Sequence, residues 1–247
     1  MRMVHANIRK GAIENLRTYY EQKVIPALGA VQGCLYAGLM NNARSSNRCI
    51  SLTFWQSRED AEAYERSGVF RTLLDGIRPF LSDESDSTIR LSENLTLEIV
   101  PVADEPEVAA YAVQARDQEK TDPGESFWAR IVTLRVRTDA FEEFKTLYQD
   151  KVIPEIKKAK GCRQMFLSQS VEQPEVVASV TVWNSKQDAD AYEREGTFLR
   201  LLDITKHTFT DLYRWKLEKE REGDARVATS EDMVVESFDV LVGRSFE

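Results

Sequence analysis

Histidine and cysteine are scarce in this chain of 247 residues, which holds two of the first and three of the second. An odd, small cysteine count does not make a disulfide framework and points to a reducing cytosol. No His/Cys cluster has metal-ligand spacing, so no metal is expected. A Gly-rich phosphate loop and a nucleophile elbow are also absent, which sets aside nucleotide-dependent and serine-hydrolase chemistry. No apolar run approaches the roughly 20 residues needed to span a bilayer. The opening stretch, MRMVHANIRKG, lacks the apolar core of a signal peptide. No membrane partner and a cytoplasmic location are therefore expected. Positive charge is in deficit, with 33 Lys and Arg against 41 Asp and Glu and a net charge of −8. The bases are interspersed with acids rather than striped, which argues against nucleic acid as a partner.

What the chain has in quantity is itself. Lys23 to Asp75 aligns with Lys151 to Asp203 without a gap at an offset of 128, and about 22 of 53 positions are identical. A fixed internal period decides architecture, so a tandem duplication is the first conclusion. The boundaries fall at residues 1–102 and 127–247, with an acidic, proline-bearing connector at 103–126 in which Glu107 to Lys120 could form a short helix. Cys34 and Cys162 hold the same place in each copy and read as small buried hydrophobes.

Within each copy the pattern reads β-α-β-β-α-β. Val4, Ala6 and Ile8 alternate with Met3, His5 and Asn7, a half-buried strand matched by the alternation of Val132 to Arg137. A helix from about Ala12 to Leu28 buries Ile13, Leu16, Tyr20 and Val24, and Pro26 bends or stops it. Strands follow at Cys34 to Met40 and Cys49 to Trp55, with counterparts at Cys162 to Gln169 and Val176 to Trp183. Ser57 and Ser185 read as helix N-caps with Asp60 and Asp188 three residues on. Gly68 and Gly196 divide that helix from a second one. The last strand is placed at Thr88 to Val100 in copy one. In copy two it is placed at Met233 to Val242, because SENLTLE resembles SEDMVVE at an offset of about 138. That implies roughly ten extra residues in copy two, mostly in the charged stretch LYRWKLEKEREGDAR.

This order is that of a ferredoxin-like α+β unit, with helices on one face of an antiparallel sheet. The bare face needs a cover. The second copy is the obvious one, and two such sheets make one intrachain eight-stranded α/β barrel. Two separate beads that each pair with another chain remain the alternative, and the protein is expected as a monomeric barrel or a homodimer of barrels.

The runs VIPALGAVQGC, TFWQS and AYERSGVF, repeated as VIPEIKKAKGC, TVWNS and AYEREGTF, resemble the antibiotic biosynthesis monooxygenase family. The resemblance implies ferredoxin-like units paired into a dimeric α/β barrel, with a pocket between helices and sheet in each unit. It also implies a monooxygenase or other oxidoreductase that uses no bound cofactor and acts on a small aromatic or quinol-like molecule. Haem is a further possibility, since one branch degrades it with an Asn, a Trp and a His. Val4 and Val132, Tyr64 and Tyr192, and Leu74 and Leu202 stand at those places, so that set is missing here. The His of the quinol-oxidising relatives is replaced by Val69 and Thr197.

Cofactor-free oxygenation needs a dry pocket, a stacking ring and polar groups that handle a proton and an anion. Trp55 and Trp183 are candidates to stack on substrate, with core packing as the competing account. Tyr64 and Tyr192 are candidate pocket donors or partly buried helix aromatics. His5, Asn7 and Arg135 are the other catalytic candidates, Asn7 and Arg135 standing at equivalent positions. His5 and His207 do not correspond, which argues against a duplicated histidine site. A non-catalytic small-molecule or haem-binding barrel and a purely structural, filled barrel are the rival readings.

Overall fold

The computed structural model describes residues 1–45, 47–82, 87–91, 97–101, 107–116, 128–211, 214 and 234–246. The first repeat runs β1 (Arg2–Asn7), α1 (Ile13–Tyr19), α2 (Ile25–Gly29), β2 (Cys34–Asn42), β3 (Arg48–Trp55), α3 (Arg58–Arg66) and α4 (Val69–Ile77). A hairpin follows, β4 (Ser87–Leu91) and β5 (Leu97–Pro101), and then β6 (Glu107–Arg116). The second repeat has β7 (Trp128–Arg135), α5 (Phe141–Leu147), α6 (Ile153–Lys157), β8 (Cys162–Ser170), β9 (Val176–Trp183), α7 (Lys186–Arg194), α8 (Thr197–Thr205) and β10 (Val234–Ser245).

Eight of the strands close into one barrel in the order β1-β3-β2-β10-β7-β9-β8-β6. Each repeat contributes a ferredoxin-like sheet, and the fourth strand of each stitches it to the other. Thus β10 pairs with β7 of its own repeat and with β2 of the first. Likewise β6 pairs with β1 of its own repeat and with β8 of the second. Closure leaves no barrel strand with an open edge.

Three expectations are corrected here. The copy-one strand placed at Thr88 to Val100 is the β4–β5 hairpin, a separate two-stranded sheet outside the barrel. The short helix expected over Glu107 to Lys120 is instead β6 up to Arg116, and it closes the barrel from within the stretch read as a connector. The alanines of EVAAYAVQAR favour a helix locally, but two open sheet edges outweigh that propensity. Third, the fourth strands are equivalent without a ten-residue gain. Ala110 faces Arg2 and Ser237 faces Arg130, an offset of 127. Each also has a bulge at the same point, Val113/Ala115 and Val240/Val242. The likeness of SENLTLE to SEDMVVE therefore joins segments that are not structural equivalents. The stretch LYRWKLEKEREGDAR lies almost entirely outside the described residues.

The barrel sheet is covered on both faces. One face packs under the helices, where Ile8 and Leu39 join one cluster and Val132, Leu134 and Val136 another. The other face fills the lumen with Met3, Met40, Ile50, Ile131, Val180 and Phe238. Eight strands enclose a space that side chains just fill, so the lumen is core and not a site.

The first helix is not stopped at its proline. It passes from α1 through a π-helical turn at Tyr20–Val24 and continues past Pro26 to Gly29, and the second repeat does the same at Tyr148–Val152 and Pro154. The wide turn accommodates the missing proline N–H, and such turns are frequent at functional sites. The expected N-caps are present. Ser57 Oγ accepts from the Asp60 N–H at 3.1 Å and Ser185 Oγ from the Asp188 N–H at 3.2 Å. Gly68 and Gly196 take φ of +79° and +75°, a left-handed bend that turns α3 onto α4 and α7 onto α8.

Candidate functional site

Between the helices and the outer face of the sheet, each repeat holds an apolar cavity that opens to solvent, with about 670 Å³ of atom-free space in the first and 600 Å³ in the second when the open mouth is included. The sixteen residues lining one correspond to the sixteen lining the other, position for position, at the offset of 128. Of the eleven positions apolar in the first cavity six are identical and five have drifted: Ala6 is matched by Leu134, Leu16 by Phe144, Leu28 by Ile156, Cys49 by Val177 and Ile77 by Thr205. Five polar positions have not: Arg2/Arg130, Tyr20/Tyr148, Ser51/Ser179, Thr53/Thr181 and Tyr64/Tyr192 are identical.

These side chains come from four elements. Arg2 and Arg130 project from the first strand of each repeat toward the helices, beside Val4 and Val132. Their side chains are 5% and 2% exposed. Arg2 Nη2 donates to Glu65 Oε1 at 2.8 Å, and Arg130 Nη2 donates to Glu193 Oε1 at 2.9 Å. Each guanidinium lies over a phenylalanine of the cavity wall, 4.8 Å from the Phe70 ring centre and 4.5 Å from that of Phe198. Burial pulls the Arg130 pKa down from its ordinary value, opposed by the Glu193 carboxylate. The π turn delivers Tyr20 and Tyr148, whose hydroxyls share hydrogen bonds with Ser51 Oγ at 2.9 Å and Ser179 Oγ at 2.7 Å.

Of the residues singled out in the sequence, Tyr64 and Tyr192 line the cavities. Trp55 and Trp183 do not. They stand behind the tyrosines, with ring centres 4.9 and 5.2 Å away, and each indole N–H donates to a threonine hydroxyl (Thr53 or Thr181) at 2.9 Å. Their contribution is to fix Tyr64 and Thr53, and Tyr192 and Thr181, in place. His5, Asn7 and Arg135 lie outside both cavities. His5 and Asn7 share the strand face opposite Val4 and Ala6, toward the strand end. Arg135 pairs with Glu175 at 2.7 Å on the loop between β8 and β9. His207 is exposed and contacts Glu143 at 2.9 Å.

The residues that sequence reasoning missed are Arg2, Tyr20, Ser51, Thr53 and their counterparts. A usable signal existed for the arginines: RMVHAN and RIVTLR each open an apolar strand with a charge at equivalent positions. Tyr20 and Ser51 look like ordinary helix and strand residues until the tertiary fold brings them together.

No Asp, Glu or His lines either cavity. Burial pushes the Tyr20, Tyr64 and Tyr192 phenols far above their ordinary range, so they are neutral donors at physiological pH. The Tyr148 phenol is pushed up to about 12 by the same cause, against the opposing hydrogen bond with Ser179. A raised folded-state pKa carries stability that is intact below pH 10 and is lost as pH climbs toward 12, because only the unfolded chain ionises freely in that window. Tyr148 alone should cost roughly 2 kcal/mol by pH 12. Thermal melts between pH 9 and 12 test this, and Tyr148→Phe should flatten the alkaline slope.

A closed eight-stranded barrel of two fused ferredoxin-like units, each with an aromatic-walled cavity under its helices, defines a duplicated dimeric-α/β-barrel protein. The chain belongs to the antibiotic biosynthesis monooxygenase family, whose model matches residues 1–75 and 129–203. Solved structures share the architecture along the whole chain. A putative monooxygenase from Fusobacterium nucleatum is 11% identical with a TM-score of 0.68, covering 99% of this chain and 93% of that one. A putative monooxygenase from Lactobacillus acidophilus is 8% identical with a TM-score of 0.63, covering 100% and 98%. An anthrone oxidase-like protein is 12% identical with a TM-score of 0.55, covering 99% and 92%. At these identities the likeness is one of fold. No curated protein matches in sequence. No described helix is long and apolar enough to cross a membrane.

Proposed function

We propose that the protein is a cofactor-independent monooxygenase that oxidises a small, electron-rich aromatic of the quinol or anthrone kind, with one site in each repeat. The observation that carries this reading is the pair of equivalent cavities, in which all five polar side chains of the first are identical in the second while five of the eleven apolar positions have changed. Membership of the family supports the reaction class, and the name of the anthrone oxidase-like neighbour indicates which substrates to try first.

The chemistry balances without a reductant. An activated ring methylene loses a proton and gives one electron to dioxygen. The carbon radical and superoxide then join to form a peroxide, which loses water to leave a ketone. CH2 and O2 become C=O and H2O, and the substrate supplies every electron. The protein excludes water with its apolar walls, stacks the ring against Phe70 or Phe198, and offers Tyr64 or Tyr192 and the guanidinium to the developing negative oxygen.

Haem does not fit this lining. Leu74 and Leu202 line the cavities where the haem-degrading branch places its histidine, and Val4 and Val132 where it places its asparagine. A second reading, a small-molecule binding barrel without turnover, is favoured by one observation, the lack of a carboxylate or imidazole base in either cavity. Oxygen uptake separates the two. Anthrones and naphthoquinols should be consumed at least tenfold faster by the native protein than by Leu74→Trp/Leu202→Trp, which blocks both cavities. Equal rates with every substrate would reject the monooxygenase reading, and binding without uptake would leave the carrier.

A further inference from the structure

The floor of each cavity is a ladder of directly paired strand residues. In the first repeat the rungs are Arg2–Thr53, Val4–Ser51 and Ala6–Cys49. In the second they are Arg130–Thr181, Val132–Ser179 and Leu134–Val177. The first two rungs are identical and the third is not. Both of its members are bulkier in the second repeat: a methyl group is replaced by an isobutyl, and a thiol-bearing methyl by an isopropyl. Ala6 is only partly buried, whereas Leu134 is buried.

The roof changes at the same place. Leu16 is matched by Phe144, whose ring lies 6.1 Å from that of Tyr148 and 6.2 Å from that of Phe209. Tyr148 bonds to Ser179 on the second rung, and Phe209 bridges to Val136, just beyond Leu134. Phe144 is thereby pinned over the third rung. In the first repeat Leu81 makes the equivalent bridge, to Ile8. One difference runs the other way, Thr205 in place of Ile77, but it removes a single heavy atom where Phe144 adds a ring. The end at the first rung is alike in both repeats, with Tyr64 and Phe70, or Tyr192 and Phe198, beside the arginine.

We infer that the two cavities have the same head and unequal length, so that the first takes a linear three-ring aromatic and the second is stopped after the second rung and takes two rings or fewer. This rests on the cavities being substrate sites, and it names Ala6, Leu16 and Cys49, with Leu134, Phe144 and Val177, as the positions that set which molecule each accepts. Successive rungs lie two strand residues apart, roughly 7 Å. A further linearly fused ring needs less than that, so one closed rung is enough to reject it. A misfit of this size in an apolar pocket is worth about tenfold or more in affinity.

The test compares 2-naphthol with 2-anthrol, which differ by one linearly fused ring, in anaerobic fluorescence titrations of the full chain. Naphthol should bind two equivalents. Anthrol should bind one tightly, with any second site at least tenfold weaker. Leu202→Trp, which blocks the second cavity, should leave the tight anthrol site, and Leu74→Trp should remove it. Ala6→Leu/Leu16→Phe/Cys49→Val gives the first cavity the lining of the second, and should lose tight anthrol binding while keeping both naphthol equivalents. The two single blocks decide the matter if this triple variant does not fold. Two tight anthrol equivalents, none, or one that survives Leu74→Trp overturn the inference, as do a folded triple variant that still binds anthrol tightly and a native protein that does not bind naphthol. The expected stoichiometries without oxygen uptake on any substrate reject the monooxygenase reading and leave the unequal sites standing. Uptake with equal anthrol affinity at both sites does the reverse.

Discussion

Trp183→Ala is expected to destabilise the fold by roughly 3–5 kcal/mol, the range for emptying a buried large aromatic site. Trp183 has no solvent exposure. Its ring packs 5.2 Å from Tyr192, and its N–H is satisfied by Thr181 at 2.9 Å. Truncation leaves a void behind the cavity wall and frees a tyrosine and a threonine that the indole had held. In a chain of this length each kcal/mol moves Tm by about 2–4 °C, so a drop of about 10 °C is expected in a melt followed by circular dichroism. A loss below about 1 kcal/mol would show that the indole is not a structural anchor. The same change should weaken ligand binding in the second cavity and leave the first intact, because each indole backs only its own site. A residue that stacked directly on substrate would lower affinity without costing this much stability.

Cutting the chain to residues 1–116 should change its assembly state. The first repeat alone keeps β1, β2, β3 and β6, whose order exposes β2 and β6 as open edges once β10 and β8 are gone. It also uncovers the lumen face with Met3, Met40, Ile50, Leu52 and Tyr111. An apolar sheet face flanked by two unpaired strands does not stay single in water. The missing partners have equivalents on the fragment itself: β6 pairs with β8 as β10 pairs with β2, with bulges in the same place. Two copies can therefore close the ring that the full chain closes alone. Sedimentation at micromolar concentration should show a two-chain species, with insoluble aggregate as the failure of the same edges to find their register. A soluble, folded monomer of 1–116 would contradict the account of what β6 and β10 do.

How much of this was legible beforehand depended on whether the signal was local. The helices of the two repeats, the caps at Ser57 and Ser185 and the turns at Gly68 and Gly196 are set by short-range chemistry and stand where the pattern puts them, whereas the helix expected over Glu107 to Lys120 is a strand. The fourth strand of the first repeat was misplaced because two segments compete for it. Thr88 to Val100 carries the stronger strand pattern, while Glu107–Arg116 carries the register that reaches both β1 and β8. Among candidate site residues, Tyr64 and Tyr192 were visible as repeated helix aromatics. The tryptophans were visible too, but only their packing shows that they stand behind the cavity rather than in it.

The sequence by itself determined the duplication, the ferredoxin-like order of each half and the family, because periodicity, capping and repeated identity are properties of neighbouring residues along the chain. Which segments complete the barrel, and that Arg2, Tyr20, Ser51, Thr53 and Tyr64 surround one cavity, was decided only in three dimensions. Strand pairing and site assembly join residues tens of positions apart. Their free energy comes from edges and faces that exist only after the rest of the chain has folded.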